Sequence, residues 1–138
     1  MDGARIEFDD YGLRRSLDYT TRAWNAIKRK DRAFIKILWT HAFKDVMDHF
    51  DKEEGPDSKW KPIKRKGKIL QDTGMMRQSF RPYPYRTTSN EVIFYDFQPY
   101  SKMQDEGTKN IPSRKFMWMS SKAMDLLSKD IVTYLGGK

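Results

Sequence analysis

The sequence predicts an α+β domain, and three observations carry that prediction. Residues 31–52 hold apolar side chains on one helical stripe, two runs within 80–97 alternate around a polar turn, and a second helical stripe runs from Met124 to Leu135. The arrangement expected is N-terminal helices (one of them long), a small antiparallel sheet containing a β-hairpin, and a C-terminal helix. In order, Ile6-Glu7-Phe8 alternates apolar and polar, as a short edge strand does. Asp9 and Asp10 precede a segment from Tyr11 to Ile27 in which Leu13, Leu17, the Thr20/Thr21 pair, Trp24 and Ile27 recur at helical spacing, and either aspartate can cap its start.

Lys28-Arg29-Lys30 closes that helix and has two readings, of which the helix-dipole or hinge one is favoured. Cations at a helix C-terminus complement the dipole, and the same three residues also suit a nucleic-acid patch. The long helix then starts with Asp31 as N-cap and runs to about Lys52, burying Phe34, Ile37, Leu38, Ala42, Val46 and Phe50. His41 and His49 sit beside the stripe. Eight residues along one helix separate them by about 12 Å, too far to share an ion, so they read as packing or surface residues and no metal site is expected.

Residues 53–69 form a basic loop in which Lys59, Lys61, Lys64, Arg65, Lys66 and Lys68 surround Trp60 and Ile63. Cations interleaved with an aromatic suit a phosphate backbone and a stacked base. Equally, Trp60 and Ile63 can dock on the protein itself, and the favoured reading is a subunit-contact loop. Asp72-Thr73-Gly74 opens a helical turn through Ser79. Phe80 to Arg86 and Glu91 to Phe97 follow as strands joined at Thr87–Asn90, with the first at a sheet edge because Pro82 and Pro84 cannot donate to a ladder. Tyr100 to Glu106 reads as one or two helical turns ended by Gly107. Ile111-Pro112 restarts the chain extended, and Ser120 or Ser121 caps the last helix, which Gly136 ends.

A chain of 138 residues is one ordinary domain, 1–138, with a modest core under a heavily charged surface. A net charge of +8 favours polyanions, nucleic acid or acidic protein, or is simply a solvated basic surface. With no cysteine, disulfides and thiolate metal sites are excluded. Met1-Asp2-Gly3 leads into alternating charge rather than a signal peptide, and no stretch reaches the ~18 apolar residues of a membrane span.

Four phrases in fixed order set the functional reading: Trp60-Lys61-Pro62-Ile63, Ile69-Leu70-Gln71-Asp72-Thr73-Gly74, Tyr100-Ser101-Lys102-Met103-Gln104-Asp105-Glu106-Gly107, and Ile111-Pro112-Ser113-Arg114-Lys115-Phe116. With these, the chain resembles the bacteriophage virion-morphogenesis or tail-completion proteins, the small head–tail joining components of tailed phages. Their pattern runs Trp-x-Pro-Leu, a basic spacer, Leu-x-x-Thr-Gly-x-Leu-x-x-Ser, a hairpin, Tyr-Ala-x-x-His-x-x-Gly, Ile-Pro-x-Arg-x-Phe-Leu and a final helix. The matches are Trp60, Pro62, Leu70, Thr73, Gly74, Ser79, Tyr100, Gly107, Ile111, Pro112, Arg114 and Phe116. Ile63, Met75-Met76 and Ser101 depart from the pattern, and Lys102-Met103-Gln104 lacks its histidine.

The resemblance implies a structural protein with no catalytic residue, metal or cofactor. Its partners would be other phage neck, connector and tail subunits, in a homo-oligomeric ring around a DNA channel, with non-specific contact to genomic DNA and none to a membrane. It would reside in the virion, assembled in the host cytoplasm. Trp60, Pro62, Thr73 and Gly74 would set loop geometry, and Arg114, Phe116 and Trp118 would meet neighbouring subunits. Alternation along Phe116–Met119 would send Phe116 and Trp118 one way and the two methionines the other; burial of all four in the monomer is the other reading.

Two alternatives belong to other classes. A free-standing basic nucleic-acid-binding domain is suggested by the loop around Trp60. A retroviral-type aspartic protease is suggested by Asp72-Thr73-Gly74, but Lys66-Gly67-Lys68 lies upstream, Met75 follows, and the stripe from Phe34 to Phe50 contradicts an all-β enzyme.

Overall fold

In a computed structural model, the described residues are 3–9, 21–62, 75–78, 85–88, 91–96, 98 and 100–136. Among them the order is β1 (Arg5–Asp9), α1 (Thr21–Lys28), α2 (Arg32–Lys52), α3 (Met75–Gln78), β2 (Tyr85–Thr87), β3 (Glu91–Tyr95), α4 (Ser101–Glu106) and α5 (Ser121–Gly136). The α+β class is the one the periodicities predict. The segment expected to open the first helix at 10–20, the distal part of the basic loop and the Asp72-Thr73-Gly74 turn lie outside the described residues.

Helix α2 is the frame. Asp31 caps it as expected, its Oδ1 accepting from the amides of Ala33 (3.0 Å) and Phe34 (3.2 Å). Burial disfavours charge on Asp31, but hydrogen bonds from Tyr134, Phe34, Arg29 and Ala33 outweigh it and hold the carboxyl below its ordinary value. Phe34, Leu38, Ala42, Val46 and Phe50 are fully buried, each large side chain contributing roughly 1.5–3 kcal/mol through burial. At the far end Glu53 adopts a left-handed conformation, and its amide closes the helix on the His49 carbonyl at 2.8 Å.

Helix α5 lies antiparallel to α2, as their contacts show: Ser120 meets Asp45, Asp130 meets His41 at 2.6 Å, and Tyr134 donates to Asp31 at 2.8 Å. Its buried stripe is Ala123, Leu127, Ile131 and Leu135, with Met124 only partly buried. Arg22 of α1 donates to the Leu135 carbonyl at 2.7 Å, so a cation from another helix satisfies the end of α5.

The sheet is antiparallel with order β1-β3-β2, so β2 is at an edge, where its upstream prolines place it. Ile6 and Phe8 lie opposite Phe94 and Val92, and Tyr85 lies opposite Phe94 from the other side. The central strand departs from simple alternation, because Ile93 is buried along with Val92 and Phe94.

The end of β3 meets the start of β1 and α4 at Gly3. A Cβ there would run into Ser101 Oγ and the Gln98 carbonyl, so the close approach requires glycine. Ser101 Oγ accepts the Ala4 amide at 2.8 Å. Beside it Asp96 is fully buried. Its Oδ1 accepts the Gln98 amide at 2.9 Å, while Oδ2 finds no donor among the described residues. Burial pushes its carboxyl up to about 7 against the Gln98 hydrogen bond. Between pH 4 and 7 the native state therefore holds a proton that the unfolded chain has released, and Asp96 lowers stability as pH rises through that window. Asp96→Asn should flatten this part of the stability profile and raise stability at pH 8 by roughly 2–4 kcal/mol, measured by urea unfolding from pH 5 to 8.

Candidate functional site

The chain from Gly107 to Ser120 has no regular secondary structure, yet Phe116 and Met117 are buried. Amides drawn into a core without a helix or sheet need other acceptors. Asp105, at the end of α4, provides them. It is 3% exposed, and its Oδ1 accepts from the amides of Phe116 (2.8 Å) and Met117 (2.9 Å), while Oδ2 pairs with Lys115 Nζ at 3.0 Å. The same residue's carbonyl accepts Ser113 Oγ at 2.8 Å, and the Gln104 carbonyl accepts the Arg114 amide at 2.8 Å. Gly107 makes the reversal, with φ 81°. A Cβ on Gly107 would stand 2.7 Å from the Ser113 nitrogen, so no other residue fits without displacing that chain. In the turn that follows, Thr108 Oγ1 accepts the amide of Ile111 at 3.1 Å, and Ile111 and Pro112 are half-buried.

The Trp60 phrase docks on this segment. Trp60 is buried, its Nε1 donating to the Lys115 carbonyl at 2.9 Å and its ring edge-on to Phe50 at 5.8 Å. Arg114 reaches back, Nε to the Lys61 carbonyl (2.9 Å) and Nη2 to the Pro62 carbonyl (3.0 Å). Three of the four phrases, up to 56 residues apart from Trp60 to Phe116, are thus laced together. The fourth, with Leu70, Thr73 and Gly74, lies outside the described residues. Tyr100 precedes α4 at its N-cap position and is 42% exposed, one turn from Met103, which is 46% exposed.

Two expectations about contacts are corrected. Phe116, expected to meet a neighbouring subunit, is fully buried against Phe50 at 5.1 Å. Arg114, also expected to meet a neighbouring subunit, directs Nε and Nη2 to two carbonyls of its own chain. The alternation expected for 116–119 does not hold either. Phe116 and Met117 are both buried, and Trp118 and Met119 both half-buried, because Asp105 sets the local backbone in place of a strand ladder.

Trp118 instead stacks flat on His49, with centroids 3.8 Å apart. His49, read as packing or surface, is 2% exposed. Its Nε2 lies 3.0 Å from the Trp118 carbonyl and 3.2 Å from Asp45 Oδ2. A carbonyl only accepts, so Nε2 carries a proton. Asp45 also accepts from the Ser120 amide (2.7 Å) and hydroxyl (2.9 Å), and Ser120 Oγ in turn accepts the Ala123 amide at 3.2 Å. Burial opposes charge on Asp45, but His49 and Ser120 overcome it and keep the carboxyl below its ordinary value.

These groups line a cleft of about 420 Å³ between α2 and the start of α5, together with His41, Lys44 and Lys122. The serine touches the carboxylate and not the imidazole, so the order is Ser–Asp–His, and the imidazole that serves as base in a catalytic triad does not face the hydroxyl. The ligand atoms of Asp45, Asp48 and His49 come within 4.8 Å of one another, a convergence that spacing alone did not suggest. They do not fit a cation: Nε2 of His49 bears a proton, both Asp45 oxygens are engaged, and Asp48 pairs with Lys52 at 3.0 Å. The cleft is a structural joint that seats α5 on α2.

The chain matches no family model, no curated protein and no solved structure. Among the described residues no helix is long and apolar enough to cross a membrane.

Of the residues that build this region, Asp105 gave no signal in the sequence, since one carboxylate in a polar phrase is ordinary. Asp45 and His49 did carry one, the i,i+4 spacing that puts them on the same face of a helix. Asp105→Ala should strand two buried amides and destabilise the protein by roughly 2–5 kcal/mol, read from denaturant unfolding, with loss of the Trp60 environment in fluorescence. Gly107→Ala should lower the melting temperature by several degrees, corresponding to about 1–3 kcal/mol of strain, with the sheet signal in circular dichroism retained.

Proposed function

We propose that this chain is a structural component of a tailed-phage virion, a head–tail connector or tail-completion subunit that joins tail to capsid and acts by shape and contact. The observation that carries this reading is the lacing of the Trp60, Tyr100–Gly107 and Ile111–Phe116 phrases into one unit by Arg114, Trp60 and Asp105. The phrases that make the chain resemble head–tail joining proteins would then be the braces of a rigid docking surface. Trp60, Gly107 and Phe116 hold it from within. Pro62 and Tyr100 are exposed on it, with Met103 beside Tyr100.

A rigid irregular surface suits docking, because little conformational entropy is lost when it meets a neck, connector or tail subunit. The reading needs no cofactor and calls for repeated copies, as in a ring. An aspartic protease of retroviral type is not favoured, because that enzyme is all-β and this fold is built on a 21-residue helix. Deleting the coding sequence from the genome that carries it should leave DNA-filled heads and separate tails in negative-stain images. Intact infectious virions from the deletion would overturn the proposal.

A further inference from the structure

The corner between α1 and α2 breaks two local rules in the same direction. Helix α1 ends in a paired C-terminal motif: the Asp31 amide donates to the Ala26 carbonyl (3.0 Å) and the Lys30 amide to the Ile27 carbonyl (3.1 Å). That motif places residue 30 in the left-handed region, φ 56°, where glycine is favoured. The chain has lysine there. Two residues on, Arg32 occupies the first turn of α2, at the positive end of the helix dipole, and that turn holds no acidic residue. Neither choice helps the corner fold. Both add positive charge, and local rules broken without a local gain mark functional positions.

Together Lys28, Arg29, Lys30, Arg32 and Lys36 put five exposed cations within nine residues, against one carboxylate, a formal +4 out of the chain's +8. The carboxylate, Asp31, is taken up by the Ala33 and Phe34 amides, the Tyr134 hydroxyl and Arg29. The dipole reading of Lys28-Arg29-Lys30 covers the last turn of α1 but not Arg32, which sits where a dipole repels it, nor Lys36, one turn further on.

We infer that the α1–α2 corner is a contact site for the phosphate backbone of nucleic acid, independent of base sequence. A duplex presents about one charge per 1.7 Å of axis, and a cluster of lysine and arginine matches it by releasing counterions. The amides at the start of α2 take no part, since Asp31 occupies them. An acidic strip on a second copy is a poorer match. The carboxylates of α2 itself, and Glu54 just after it, already have intramolecular partners: Asp45 with Ser120, Asp48 with Lys52, Asp51 with Arg77 and Glu54 with Lys59. The inference stands apart from the virion role, because it rests on the corner alone.

The test is fluorescence anisotropy of a labelled duplex with the full chain over a salt series. The quadruple variant Lys28→Gln, Arg29→Gln, Lys30→Gln, Arg32→Gln should bind at least about tenfold more weakly near 0.1 M salt, and the slope of log K against log salt should fall by roughly 3. Lys30→Gly separates charge from folding: it should raise the melting temperature while weakening duplex binding about twofold to threefold. A variant of the loop, with Lys64, Arg65, Lys66 and Lys68 all changed to Gln, should keep the corner's share of the slope. The inference is overturned if the quadruple variant, folded by circular dichroism, binds duplex as the parent does, or if the loop variant alone removes all binding. It is overturned equally if the parent binds polyglutamate but not duplex, or if the corner variant changes only self-association in sedimentation.

Discussion

An irregular segment that passes through a core must find partners for its amides without the help of a ladder or a helical turn. In this protein that constraint falls on residues 113–118, and the Asp105 carboxylate meets it. One oxygen accepts two consecutive amides, the other pairs with Lys115, and the backbone of the same residue holds Ser113. Phe116 then reaches Phe50, the Lys115 carbonyl is presented to Trp60, and Arg114 is aimed at Lys61 and Pro62. A buried carboxylate is tolerated in such a position because both of its oxygens have partners.

A second carboxylate plays a related part at the other end of the segment. Asp45 fixes Ser120, Ser120 starts α5, and His49 is held between Asp45 and the Trp118 carbonyl with its ring flat on the indole. The two joints together seat the chain from α4 to α5 on the long helix. They also account for a polar cluster that would otherwise invite a catalytic or metal-binding reading. Its groups are taken up in hydrogen bonds and ion pairs with neighbouring residues, and the imidazole meets a carboxylate and a carbonyl, not the serine hydroxyl.

Charge along the long helix is uneven. Its start carries Arg32 and Lys36 with no carboxylate in the first turn, while its second half mixes Lys44 and Lys52 with Asp45, Asp48 and Asp51, each aspartate having a partner in the chain. Arg32 works against the helix dipole at the start, and the last turn mixes Asp51 with Lys52, so α2 owes its stability to the buried stripe from Phe34 to Phe50 and to its caps. The exposed cations of the α1–α2 corner lie outside that buried stripe.

The sequence by itself determined the elements. Asp31 as a cap, the stripe of α2, the stripe of α5 with Ser120 at its start, the edge position of β2 and the glycine at 107 all follow from short-range rules, because a helix or turn is decided by residues within a few positions of one another. Tertiary structure alone decided what Phe116, Arg114 and Trp118 do. Periodicity assigns a face only to a regular element, and 113–118 is not one; its directions come from Asp105 and Asp45, which lie 8 to 75 residues away along the chain. The meeting of Asp96 with Gly3 and the burial of Ile93 belong to the same class, since strand order and close backbone approach arise only when distant segments pack.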